Sequence, residues 1–173
     1  MKDCPCGTGF PYTDCCGPLI RGAVSADTAE DLMRSRFTAF AKGQWDYIEQ
    51  TRYPDGQELS AWYKSKFLHD GISWTRLEIF DVKNGEVPDE EGEVGFVAHY
   101  TENGEDKTLQ EVSRFIKEDG KWYYNEHESK VVSSEPTSLS KPFTRDQPKV
   151  GRNDPCSCGS KKNIKNAVAN KIS

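Results

Sequence analysis

Cysteine is missing from most of this 173-residue chain: none occurs between Cys16 and Cys156. Long hydrophobic runs are missing too. No window approaches the roughly 18 apolar residues that a membrane span needs, and the opening Met1-Lys2-Asp3-Cys4 has no apolar signal region. These absences predict a cytoplasmic protein with no membrane partner. Histidine is scarce, with three residues, and no nucleophile motif, phosphate loop or HExxH pattern occurs. The familiar signatures of hydrolases, nucleotide binders and zinc proteases are therefore excluded. Hydrophobic residues are few at 35%, yet 4 Trp, 8 Phe and 7 Tyr suffice for a core. The length fits one domain with a small appendage.

Charge is unevenly spread. The net charge is −5, but residues 141–173 hold eight Lys and Arg against two Asp and Glu. The body is thus strongly acidic. That argues against nucleic acid binding over the whole surface and leaves the basic tail as the segment suited to an anionic partner.

The six cysteines sit at 4, 6, 15, 16, 156 and 158. A disulfide framework fits poorly, because the expected cytosol is reducing and adjacent Cys15 and Cys16 could pair only through a strained bridge. A metal knuckle fits better. Cys4 and Cys6 offer two thiolates from one turn, Cys15 and Cys16 offer two more, and Gly7, Gly9 and Gly17 can take positive φ. Four thiolates suit tetrahedral Zn²⁺ and leave no open position, so the expected role is structural. An iron–sulfur cluster also accepts four Cys, but closely spaced pairs favour a single ion.

The string Cys4-Pro5-Cys6-Gly7-Thr8-Gly9-Phe10-Pro11-Tyr12-Thr13-Asp14-Cys15-Cys16-Gly17 closely resembles the SEC-C motif CPCGSGxxYxxCCG, with Thr8 in place of its serine. This module is named for the C-terminus of the SecA translocation ATPase. Gly151-Arg152-Asn153-Asp154-Pro155-Cys156-Ser157-Cys158-Gly159-Ser160 resembles the start of a second copy, which then departs. Lys161 stands for a glycine, Ile164 for the tyrosine, and Ala167 and Val168 for the last two cysteines. Cys156 and Cys158 thus form a half-site and are not expected to hold the ion.

Between the motifs, helical periodicity comes first. In 27–42, Met33, Phe37, Phe40 and Ala41 make one stripe; Asp27 with Glu30 suggests a capping box and Gly43 a stop. A short helix over 44–51 should turn Trp45 and Ile48 inward. A third, over 57–68, should turn Leu59, Trp62 and Tyr63 to one side. From residue 72 the period is two, over 72–82, 94–100, 109–118 and 121–127. Asn84-Gly85, Asn103-Gly104 and Asp119-Gly120 are hairpin turn signals, and 86–93 reads as an acidic connector. Helices followed by an antiparallel meander predict an α+β fold with the helices on one face. The expected division is a knuckle at 1–22, an α+β domain at 23–132, a linker at 133–150 and a degenerate motif with basic tail at 151–173.

Two further strings, Leu32-Met33-Arg34-Ser35-Arg36-Phe37-Thr38-Ala39-Phe40 and Ser113-Arg114-Phe115 followed by Gly120-Lys121-Trp122-Tyr123-Tyr124, resemble the YchJ-like family of uncharacterised bacterial proteins. The resemblance implies a cone-shaped α+β middle domain similar to nuclear transport factor 2 and SnoaL-type cyclases, and it implies no reaction.

Cone folds enclose a pocket, so inward polar residues matter. With Val94, Phe96, Ala98 and Tyr100 inward, His99 faces outward. Leu109, Glu111, Ser113 and Phe115 share a face, and if Phe115 is inside, Glu111 is buried and needs Arg34, Arg36 or a tyrosine hydroxyl. The opposite register, with Val112 and Ile116 inside, stays open. Glu111 is the candidate general base, with Arg34 and Arg36 as pocket candidates. His69 and His127 lie near element ends, where surface exposure is expected. Two function classes follow. One is a zinc-knuckle protein-interaction module; the SEC-C resemblance implies docking on an acidic partner, as the SecA module does with SecB. The other is an enzyme or small-ligand binder using the pocket.

Overall fold

In the computed structural model, the described residues are 3–54 and 71–133. The expected helix at 57–68, His69, the linker beyond Ser133, and Cys156 and Cys158 lie outside them. All described residues fall within one compact unit, Met1–Phe143.

The chain opens with a short 3₁₀ turn, Tyr12–Asp14, then α1 (Cys16–Ile20), α2 (Ala29–Lys42) and α3 (Trp45–Gln50). Four long strands follow: β1 (Ile72–Asn84), β2 (Glu91–Glu102), β3 (Glu105–Glu118) and β4 (Lys121–Ser133). They form one antiparallel sheet in the order β1-β2-β3-β4. Helices on an antiparallel sheet make the α+β fold the sequence predicts. No described helix is long and apolar enough to cross a membrane.

Helix α2 lies against the sheet. Its Leu32, Met33 and Phe37 join Leu77 and Ile79 of β1, Val94, Phe96, Ala98 and Tyr100 of β2, Leu109 and Phe115 of β3, and Trp122 and Tyr124 of β4. The cap differs from the expectation. Thr28, not Asp27, is the N-cap, and its Oγ1 accepts from Asp31 N at 3.1 Å. The Asp27 carbonyl instead accepts from Trp122 Nε1 at 3.1 Å, tying the helix start to β4. Gly43 ends the helix at φ 64°.

Helix α3 corrects a second expectation. Ile48 is buried, but Trp45 is 43% exposed and touches Phe40 edge-on. One turn at a helix start leaves its first side chain free of the sheet.

Asn103-Gly104 and Asp119-Gly120 are two-residue turns, with both residues of each at positive φ. Asn84-Gly85 also has positive φ but makes no tight hairpin, since Asn84 pairs with Gly92 across a longer loop. Gly85 serves helix docking instead: its carbonyl accepts from Ala29 N at 2.9 Å. A Cβ on Gly85 would come within 2.6 Å of the Ala29 side chain, and one on Gly92 within 2.7 Å of Gly85 Cα. The start of α2 can approach the sheet this closely only over two glycines.

Candidate functional site

The first site is the knuckle. Cys4 N donates to the Phe10 carbonyl at 2.8 Å and Gly7 N to the Cys4 carbonyl at 3.2 Å, so Cys4 and Cys6 share one tight loop. Gly7 and Gly9 take the positive φ expected of them. Gly17 does not: it lies in α1, where a Cβ would meet the Tyr12 carbonyl at 2.7 Å. Its smallness, not its freedom, is what brings Cys15 and Cys16 against the first pair.

The four sulfurs lie within 4.8 Å of one another. Cys6 Sγ is 3.5 Å from Cys15 Sγ, and Cys15 Sγ is 3.8 Å from Cys16 Sγ. Four sulfurs at 2.3 Å from a tetrahedral ion would stand about 3.8 Å apart. The sulfurs therefore stand close to the spacing that such an ion needs. Cys4, Cys6 and Cys16 are buried and Cys15 half-buried.

Without an ion the thiols compete for protons. Contacts with Cys15 and then Cys16 hold the Cys6 thiol far below its ordinary range. Contact with Cys15 pushes Cys16 far above it. The Cys16 contact lowers Cys15, but the Cys6 contact and burial raise it more, to about 11. A divalent cation would relieve this conflict by binding all four groups as thiolates.

Hydroxyls converge on the sulfurs. Thr8 Oγ1 is 3.3 Å from Cys6 Sγ and 3.2 Å from Cys15 Sγ. Thr38 Oγ1, from α2, is 3.6 Å from Cys4 Sγ. Arg34 is here as well, and not in the pocket where sequence reasoning looked for it. Its Nη1 donates to the Cys6 carbonyl at 2.9 Å and its Nε to Glu30 Oε1 at 2.7 Å. Glu30, Arg34 and Thr38 stand four residues apart on one helix face. That spacing was the signal in the sequence, and Thr38 is the residue it would have added.

The second site lies on another face of α2. Arg36 is buried, donates from Nη1 to the Ile48 carbonyl at 2.7 Å and Thr51 Oγ1 at 2.6 Å, and stacks 4.6 Å over the Tyr124 ring. Beside it is a cavity of about 40 Å³ with a largely aromatic and aliphatic lining, in which Arg36, Glu111, Ser113 and Tyr124 are the polar members. The strand register is the one that buries Glu111: Leu109, Glu111, Ser113 and Phe115 are all buried, and Val112 and Ile116 are only half-buried.

Ser113 Oγ donates to Glu111 Oε1 at 2.6 Å, and Tyr124 OH donates to the same oxygen at 3.0 Å. Burial pushes the Glu111 carboxyl above its ordinary range; these two bonds and the Arg36 charge oppose the rise without cancelling it. His99 lies away from the cavity, with Nε2 3.2 Å from both Arg76 and Glu78, and His127 is exposed.

Comparisons with known proteins agree with this architecture. Residues 28–127 match the family model described as the YchJ middle domain, which is NTF2-like. The UPF0225 protein GSU1048 of Geobacter sulfurreducens is 38% identical over 162 residues, covering 94% of each chain. The solution structure of a SEC-C motif containing protein from Rhodopseudomonas palustris has a TM-score of 0.65 and 32% identity, over 76% of this chain and 100% of that one. The crystal structure of a SEC-C motif containing protein from Psychrobacter arcticus has a TM-score of 0.61 over 99% of this chain and 98% of that one; at 24% identity it supports the fold alone. With a matching middle domain and a four-cysteine knuckle ahead of it, the chain belongs to the YchJ-like family of SEC-C motif proteins.

Proposed function

We propose that this chain is a cytoplasmic zinc protein whose knuckle, held by Cys4, Cys6, Cys15 and Cys16, is a docking module for another protein with an acidic surface. The observation that carries this reading is the closed sulfur shell. Four thiolates fill a tetrahedral ion's coordination sphere, so the metal has no site for substrate and its work is to hold a shape. The loop it holds presents Phe10, which is 64% exposed between the two cysteine pairs, and aromatic side chains anchor many protein interfaces. The basic residues of 141–173 supply charge suited to an acidic partner, while the acidic body leaves nucleic acid at most a contact with that tail. Nothing in this function calls for a membrane. The test is recovery of partners from lysate by the full chain, by the chelated chain and by Phe10→Ala. Zinc-dependent capture that Phe10→Ala abolishes supports the reading; capture indifferent to both overturns it.

The cavity favours a second reading, a small-ligand or acid–base site. Both donors fall on Oε1 of Glu111, so the proton of the neutral acid belongs on Oε2. Such a group would donate to an acceptor atom on a small, largely apolar molecule. Heating curves recorded with small ketones, amides and phenols check this, since a genuine ligand raises the melting temperature of the wild type more than that of Glu111→Ala.

A further inference from the structure

We infer that α2 supplies the outer shell of the metal centre, through Thr38 and Arg34, so that loading the ion and holding the sheet-bound helix are one equilibrium. The inference rests on the metal reading of the knuckle and goes beyond it. Nothing in the SEC-C string itself assigns these residues.

Thr38 is the first observation. It is fully buried in the middle of α2. A buried hydroxyl without a partner costs free energy, and a helical threonine usually returns its hydroxyl to the carbonyl one turn back. Here the hydroxyl lies beside Cys4 Sγ instead. Valine would fill the same space at lower desolvation cost, so the hydroxyl needs a reason. A thiolate acceptor is that reason.

Charge is the second. Four thiolates on a divalent ion leave a net charge of about −2 in a largely buried place. Such charge is tolerated where donors and cations surround it. Thr8 provides a donor from within the knuckle. Arg34 brings a permanent cation against the carbonyl of Cys6, whose side chain is wholly buried. Glu30, itself buried, grips the other edge of that guanidinium and fixes its direction.

The consequence is mechanical coupling. Another face of the same helix carries Met33, Arg36 and Phe37 into the sheet core and the Glu111 cavity. Releasing the ion frees the loop that carries Cys4 and the Cys6 carbonyl, so the contacts of Thr38 and Arg34 lose their anchor and the helix loses its support on that side.

The test measures zinc affinity by competition with a chromophoric chelator, alongside thermal melting with and without zinc. Thr38→Val should weaken zinc binding by about 10- to 100-fold, the usual cost of losing an outer-shell partner. Its chelated form should melt no lower than chelated wild type, because the swap keeps volume and removes a buried hydroxyl. Arg34→Lys should also weaken binding, since one ammonium cannot hold Glu30 and the Cys6 carbonyl at once. Hydrogen exchange should show faster exchange along 29–42 on chelation. Unchanged affinity in Thr38→Val with a lowered melting point in the chelated form would make its role purely structural and overturn the inference. So would faster exchange confined to 3–22. A wild type that takes up no zinc would overturn the metal reading itself, a result visible before any variant is made.

Discussion

Tyr124 donates its hydroxyl to Glu111 Oε1 across 3.0 Å, reaching from β4 to the neighbouring strand β3. The tyrosine is held from both ends. Its backbone exchanges hydrogen bonds with the segment after α3, Tyr124 N with the Thr51 carbonyl and Tyr53 N with the Tyr124 carbonyl, each at 2.8 Å. Its ring carries the Arg36 guanidinium. A buried acid held this firmly is a single well-defined group, and its chemistry can be tested by substitution.

Glu111→Gln keeps an acceptor for both hydroxyls and should change stability at neutral pH by less than about 1 kcal/mol. Glu111→Ala strands Ser113 and Tyr124 and enlarges the cavity, which should cost about 2–4 kcal/mol. Urea denaturation of the three proteins checks the pair. Equal losses in both variants would mean that the charge, and not the acceptor, is what the fold uses.

The pH dependence has a definite sign. Burial raises the folded-state pKa of Glu111 above its unfolded value. Its contribution to stability is therefore complete below the unfolded value of about 4.3 and is lost as pH rises through the folded value. Wild type should lose stability relative to Glu111→Gln as pH rises from the unfolded value through the folded one. A wild-type advantage that grows with pH would show that Arg36 outweighs desolvation.

Metal content is the most direct check on the knuckle. We expect one zinc per chain by elemental analysis, lost in Cys6→Ser. Two per chain would show that Cys156 and Cys158 complete a second site with other donors. Iron in place of zinc would change the identity of the centre.

Gly92→Ala should destabilise the sheet by about 1–3 kcal/mol, the usual cost of forcing extra volume into a packed contact. Its Cβ would meet backbone, at Gly85, with no flexible side chain to yield. Thermal melting reads this directly; an unchanged midpoint would mean that the start of α2 is free to move away from the sheet.

Local periodicity determined a good deal. Alternation placed Val94, Phe96, Ala98 and Tyr100 in the core, and the two Asn-Gly and Asp-Gly turns at 103–104 and 119–120 fixed the meander. Cysteine spacing identified the four-sulfur cluster. These features are legible because each depends on neighbours within a few residues, where the pleat, the turn or the ligand pair is decided by chain geometry alone.

Other features depended on partners far along the chain. Arg34 and Arg36 are the same residue type two positions apart, yet at about 100° per residue they leave the helix in nearly opposite directions. Only the seating of α2 between knuckle and sheet decides that Arg34 meets Cys6 and Arg36 meets Tyr124. The same seating buries the Thr38 hydroxyl beside Cys4 and leaves Trp45 partly in solvent. The sequence by itself determined which residues were available as ligands, core and turns. Tertiary structure decided which polar group faces which, because a long side chain's partner is set by what the rest of the chain packs beside it.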